Sequence, residues 1–233
     1  ETPGYKGKLN AAGPDLPTLL QVIGQAQGDP ESSLLEYGKK FASVKNKAFK
    51  INTGFDADLK SGNINVPTLD IATLGITVKG KLVAKAMHTD NGVIDGNLKI
   101  DGKSIAGLLV ALDQQPLSEV LKSINVNAGI SGNTGNLTLN PLALKATLAG
   151  KQVGKTSVNV SLNANTNINL DKETLSMNGL SLKGLGLDVS GSVKATKFIQ
   201  APAYSGNINV AAFNLRSLMK KLNQELPVTA DKK

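Results

Sequence analysis

The chain has 233 residues, 40% hydrophobic, 3% aromatic and 19% charged, with no Cys, no Trp and a single His. Zero cysteines exclude a disulfide scaffold, thiol catalysis and Cys-ligated zinc or iron–sulfur sites, and one histidine excludes a His-rich metal centre. The balance of 26 Lys+Arg against 18 Asp+Glu gives a formal charge of +8, nearly all of it lysine, a hydrated point charge that also discourages edge-to-edge pairing of strands.

The chain opens with Glu1-Thr2-Pro3-Gly4-Tyr5, which carries neither an initiator Met nor a secretory signal, and it is expected to be a fragment of a longer protein. Gly7, Leu9 and Ala11 begin a strand that turns at Asp15 into a helix carrying Leu16, Leu19 and Leu20. A second helix is expected after Pro30, through Leu34, Leu35, Phe41 and Val44. Phe49, Ile51, Thr53, Phe55, Ala57 and Leu59 then alternate with Lys50, Asn52, Gly54, Asp56 and Asp58. Leu74, Ile76, Val78, Gly80, Leu82 and Ala84 alternate in the same way, and Asp90-Asn91-Gly92 supplies turn chemistry.

Gly96, Leu98 and Ile100 lead to a helix beginning at Ser104, with Ile105, Leu108 and Leu109 on its apolar face. Pro116 starts another, with Leu117, Val120, Leu121 and Ile124 inward. Ile124, Val126, Ala128 and Ile130 also form a period-two set. From Val158 to Leu170, Val160, Leu162, Ala164, Thr166 and Ile168 face away from Asn159, Ser161, Asn163, Asn165, Asn167 and Asn169. A turn is expected at Asn178-Gly179, followed by Leu187, Val189, Gly191 and Val193 opposite Asp188, Ser190, Ser192 and Lys194. Gly206, Ile208 and Val210 lead to a last helix at Asn214, with Leu215, Leu218 and Met219. Side chains alternate across a strand, so these segments are sheets with one apolar and one wet face.

One pattern occurs three times: glycine, apolar residues at two and four, a helix-capping residue at eight, and apolar residues at nine, twelve and thirteen. Its capping positions are Asp15, Ser104 and Asn214, all residue types whose side-chain oxygens accept from free N–H groups at a helix start. The last two copies also match upstream, where Leu74-Gly75-Ile76 and Gly80 correspond to Leu185-Gly186-Leu187 and Gly191. The fold class read from this is mainly β with short helices (α+β). An elongated antiparallel meander of strand–helix units would form one domain over 1–233, with units at about 1–46, 47–123 and 124–226, and the sheet would curve into a groove.

Catalytic chemistry is missing. His88 sits in a hairpin tip without a predictable partner. Asp56 and Asp58 lie about 7 Å apart on a solvated strand face that offers no burial to separate their pKa values. Gly184-Leu185-Gly186 lacks the third glycine and the helix of a dinucleotide fingerprint, and Gly129, Gly132 and Gly135 lack the Lys-Ser/Thr of a phosphate loop. The glycosylation patterns at Asn136 and Asn159 fall within strands. A single arginine, Arg216, and few aromatics argue against nucleic acid. The chain reads as a non-enzyme without cofactor or metal.

The third copy carries a resemblance. Tyr204-Ser-Gly-Asn-Ile-Asn-Val-Ala-Ala-Phe-Asn-Leu-Arg-Ser-Leu-Met, followed by Leu226-Pro-Val-Thr-Ala-Asp231, resembles the C-terminal region of the AsmA family, as does the strand Leu187–Ala195 before it. The match is good over 180–231 and faint elsewhere, where Asp101-Gly102-Lys103 replaces the Ala-Ala-Phe step. The resemblance implies a periplasmic segment of a Gram-negative protein anchored in the inner membrane by a helix outside this chain. It implies a repeating β-groove related to TamB-like proteins, with a part in outer-membrane biogenesis and phospholipid movement. Partners would then be phospholipid or another acyl lipid and other envelope proteins.

Candidate groove residues are Ile76, Val78, Leu82, Val158, Val160, Leu162, Ile168, Leu187 and Val189. The stretch from Val158 to Leu170 alone would give an apolar stripe of about 43 Å. A face of Val, Leu, Ile and Ala suits alkyl chains, but it suits a closed sandwich core equally well. On the residues alone the closed core, and with it a structural or protein-binding repeat domain, is favoured. The family resemblance moves the balance to the groove.

Overall fold

The computed structural model describes residues 4–89, 92–133, 135–153, 156–199 and 201–225. The turn read at Asp90-Asn91 and the motif over 226–231 lie outside them. Eleven strands form one open antiparallel sheet in which every neighbour in space is a neighbour in sequence. They are β1 (Gly4–Gly13), β2 (Phe49–Asp58), β3 (Asn63–Thr73), β4 (Ile76–Lys85), β5 (Val93–Lys103), β6 (Leu121–Asn133), β7 (Asn136–Leu148), β8 (Val158–Asn169), β9 (Thr174–Gly184), β10 (Leu187–Thr196) and β11 (Ala203–Val210).

Strict alternation of direction places all helices at one end of the sheet. Helices α1 (Leu16–Ala26) and α2 (Ser33–Phe41) join β1 to β2, α3 (Ala106–Ala111) and α4 (Gln115–Val120) join β5 to β6, and α5 (Leu215–Lys221) follows β11. Buried Val44, Leu74 and Ala111 form a small core there, packed against Leu16, Phe41 and Leu108. Helices α1 and α2 approach closely because Gly24 faces Leu35 and Gly38 faces Pro17 and Gln21, with no Cβ between them. The opposite end consists of short connections such as Leu59–Gly62 and Leu170–Glu173.

The last two copies of the pattern match in three dimensions. Leu74-Gly75 (φ +50°, +83°) and Leu185-Gly186 (φ +58°, +86°) make matching two-residue hairpin turns, the left-handed pair of a type I′ turn, whose twist suits the flanking strands. Gly80 then pairs with Leu98, and Gly191 with the equivalent Ile208. Helices α3 and α5 end alike: Asp113 (φ +60°) and Asn223 (φ +52°) are left-handed. Just beyond them, the N–H of Gln114 donates to the Leu109 carbonyl (2.8 Å) and that of Gln224 to the Met219 carbonyl (2.9 Å), a helix stop that satisfies carbonyls otherwise left free.

Four local expectations are corrected. Asp15 and Asn214 cap their helices, accepting from Thr18 N–H (2.9 Å) and Ser217 N–H (2.8 Å). Ser104 does not: it takes a left-handed φ of +56° just after β5, and Ile105 occupies the N-cap position of α3 without a side-chain cap. Asn178-Gly179 is a bulge inside β9, not a turn. The helix at Pro116 stops at Val120, so Leu121 and Ile124 belong to β6, where period two overrides the shorter helical pattern. Val44 likewise lies beyond α2, as a core residue.

Gly191 has φ +153°, and a Cβ built there would lie 2.0 Å from the Asn207 carbonyl oxygen on β11; at the equivalent Gly80 it would lie 2.1 Å from the Asn97 oxygen. Both positions face the apolar side, and both need the backbone of the next strand to shift before a side chain fits. Gly191→Ala and Gly80→Ala should therefore each lower stability by about 1–3 kcal/mol. Gly107→Ala, in a helix with only ordinary contacts from Val44, should leave it unchanged or raise it by up to about 1 kcal/mol. Urea midpoints of the three variants check this.

Candidate functional site

Cross-strand register assembles the site. One row of directly opposed residues crosses all eleven strands: Ala11, Ile51, Ile71, Val78, Ile100, Val126, Leu144, Leu162, Leu182, Val189 and Val210. Every member is aliphatic. At about 4.8 Å per strand the row runs some 48 Å across the sheet. A second unbroken row nearer the short turns begins at Tyr5 on β1, passes Ala84, Ile94, Leu137, Ile168 and Ala195, and ends at Tyr204 on β11.

All nine groove candidates share this face. Val78, Leu162 and Val189 lie in the central row. Ile76 and Val160 lie in the row beside the helical end, opposite Gly102 and Ala146. Leu187, opposite Gly184, and Val158, opposite Leu148, are at that end as well. Leu82 pairs with Val66 and Gly96, and Ile168 belongs to the row bounded by the tyrosines. Periodicity marked these positions strand by strand. It could not show that the rows join, because that depends on register. The pairing partners Ile71, Ile100, Val126, Leu144 and Leu182 were missed for this reason.

Among the described residues nothing covers the face. Substantial strand packing occurs only between sheet neighbours, and among the described helices α4 makes no more than a slight contact with β6, the strand that follows it. The chain exposes 15032 Å², where a compact protein of 24.2 kDa exposes about 10,000 Å². Small residues such as Ala84, Ala128, Ala164 and Ala195 are buried among larger neighbours on the same face. The larger side chains are packed sideways and are mostly half-buried.

Polar groups on this face are few. The Thr166 hydroxyl, opposed by Leu139 and Met177, is buried without a hydrogen-bond partner, and the residue is only 3% exposed. An unpaired buried hydroxyl costs about 1–3 kcal/mol, so Thr166→Val should stabilise the fold by roughly 1 kcal/mol, read as a higher urea midpoint.

The wet face carries cross-strand pairs. Thr138 donates to Asn167 (2.8 Å) and Thr147 to Asn159 (3.0 Å), Lys79 pairs with Asp70 (3.4 Å) and Lys183 with Asp188 (2.8 Å). Asp56 pairs with Lys6 (3.3 Å), while Asp58 accepts from the Ser61 hydroxyl (2.6 Å) and from the Lys60 and Ser61 N–H groups. The Ser61 hydroxyl first, and then these N–H groups, hold the Asp58 carboxyl below its ordinary pKa. The two aspartates serve separate structural ends. Because the folded state favours ionised Asp58, its contribution is complete at neutral pH and is lost as pH falls through the lowered value. Ser61→Ala should move Asp58 titration to higher pH, measured by carboxyl NMR.

Among the described residues no cluster of His, Cys, Asp or Glu could hold a metal, and no helix is long and apolar enough to cross a membrane. No protein-family model, curated protein or solved structure matches the chain. The class defined by fold and site is a single-layer antiparallel β-meander with one uncovered aliphatic face.

Proposed function

We propose that this chain is a non-enzymatic lipid-handling module whose uncovered face holds or conducts acyl chains. The observation that carries the reading is the aliphatic row through all eleven strands, with no second layer upon it among the described residues. A sheet face of this kind needs a partner of matching chemistry, and burial against hydrocarbon is favourable by about 25 cal/mol per Å². Aliphatic side chains, without Trp and with few rings, present a smooth surface to a methylene chain. A lipid tail spans only about 15 Å, half of a hydrocarbon core, so the row accommodates more than one tail end to end.

The AsmA-like motif over 180–231 supports placing the module in the periplasm of a Gram-negative envelope. The longer protein would be anchored in the inner membrane and would act in outer-membrane biogenesis. The rival reading, a structural or protein-binding repeat module, draws on the outer edges of β1 and β11, which lack a strand partner among the described residues and could accept a strand from another protein.

Photo-crosslinking side chains at Leu162 and Ile168, compared with Asn163 and Asn165 on the reverse face, separate the two readings, since a one-residue step changes faces. Lipid adducts in cells from the first pair alone are expected. Protein adducts from the first pair, with no lipid from either, would overturn the lipid reading in favour of the rival.

A further inference from the structure

The wet face holds a cavity that neither reading uses. It has a volume of about 550 Å³ and spans β5 to β9 near the helical end. Its backbone floor includes Gly102, Ile124, Ala146 and Val160, whose positions belong to the opposite, apolar face. Its lining also includes the exposed Lys103, Lys145 and Lys183, with half-buried Ser123 and Ser161.

Register explains the convergence. Lys145, Ser161 and Lys183 are directly opposed across β7, β8 and β9, which sets the two lysines about 10 Å apart with a hydroxyl between them. Lys103 and Ser123 form the adjacent row. Lys103, Lys145, Ser123 and Ser161 make no side-chain hydrogen bond or ion pair among the described residues, and Lys183 is held at the rim by Asp188 (2.8 Å). The one carboxylate in the lining, Asp101, already accepts from Asn125 and pairs with Lys99 (3.7 Å).

We propose that this cavity binds a phosphoryl group. With Lys183 paired to Asp188 and Asp101 to Lys99, the ammonium groups of Lys103 and Lys145 remain uncompensated and leave the lining near +2, the complement of a phosphomonoester carrying about −1.5 to −2 at neutral pH. The Ser161 hydroxyl between Lys145 and Lys183 supplies a donor to such an anion, with Lys103 and Ser123 beside it in the adjacent row. Lysines without arginine fit phosphate met as a point charge better than carboxylate met by a planar fork. The volume lies within the usual range for small-ligand sites. Its source is either a lipid head group or a free phosphomonoester. The inference does not rest on the lipid reading, because these side chains project from the other face.

Titration of the full chain with inorganic phosphate, followed by amide NMR, tests it. Saturable shifts at Ser123 and Ser161 are expected. Lys103→Gln and Lys145→Gln should each weaken binding about fivefold, and Lys172→Gln, in the turn at the far end, should leave it unchanged. Phosphatidylcholine vesicles with and without phosphatidic acid distinguish the sources. Recruitment by phosphatidic acid that phosphate competes away marks a head group, and phosphate binding without recruitment marks a soluble phosphomonoester. Shifts that never saturate, that spread over lysines throughout the chain, or that weaken equally in Lys172→Gln would overturn the proposal. So would phosphate binding unchanged in both Lys103→Gln and Lys145→Gln. Lipid crosslinking at Leu162 stands or falls separately from all of these outcomes.

Discussion

A slip of one residue in any strand pairing would carry that strand's apolar set to the wet face. The uncovered aliphatic row exists only because ten successive pairings avoid such a slip. Two devices hold the register. The left-handed turns at Leu74-Gly75 and Leu185-Gly186 leave no slack between the strands they join. Bulges in β3, β7 and β9 each absorb one residue at a similar level of the sheet, near Pro67, Asn140-Pro141 and Asn178-Gly179. Proline, which has no N–H to give to a ladder, is tolerated at such places. Beyond each bulge the apolar pattern resumes on the correct face, with Val66 against Leu82, Leu139 against Thr166, and Met177 against Val193.

A single layer changes what stabilises the fold. In a sandwich, two inner faces interdigitate and each strand gains contacts from the opposite sheet. Here Leu144 or Val126 gains lateral packing within its row and leaves its outer surface bare. Among the described residues only the helical end builds a conventional core, around Val44, Leu74 and Ala111. Stability must therefore come from the hydrogen-bond ladder, from packing along rows, and from whatever occupies the apolar face. Any occupant that binds only the folded sheet would add to that stability by mass action.

Much of the fold was legible because the strands alternate so regularly. Val158–Asn169 needs only its period of two to be read as a half-buried strand, and Asp15 and Asn214 announce their helices by cap chemistry. The errors have a common origin: local signals that admit two structures. Asn178-Gly179 suits a hairpin turn and a bulge equally, since both use a left-handed residue, and Gly179 at φ +60° serves the bulge. Ser104 is a good capping type, but the chain must reverse immediately after Lys103, and that turn takes its backbone. The site was half legible. Face membership follows from alternation, whereas the junction of rows and the gathering of Lys145, Ser161 and Lys183 follow from long-range register that no local pattern contains.

The same register makes the two faces chemically independent while holding them one backbone apart. Val160 and Leu162 belong to the aliphatic side, and Ser161 between them belongs to the lysine cavity. Ionic strength separates the two chemistries. At about 0.15 M the screening length is near 8 Å, comparable with the spacing of the lysines. An anion on the wet face is therefore weakened by salt, whereas apolar burial on the other face is not screened. A ligand with both a phosphoryl group and an acyl chain cannot satisfy both faces through the sheet, because ladder hydrogen bonds close the path between them. If one molecule serves both, it must pass around an edge or the helical end. The cavity lies next to that end, where β5 gives way to α3 at Lys103 and Ser104, and not beside the short turns.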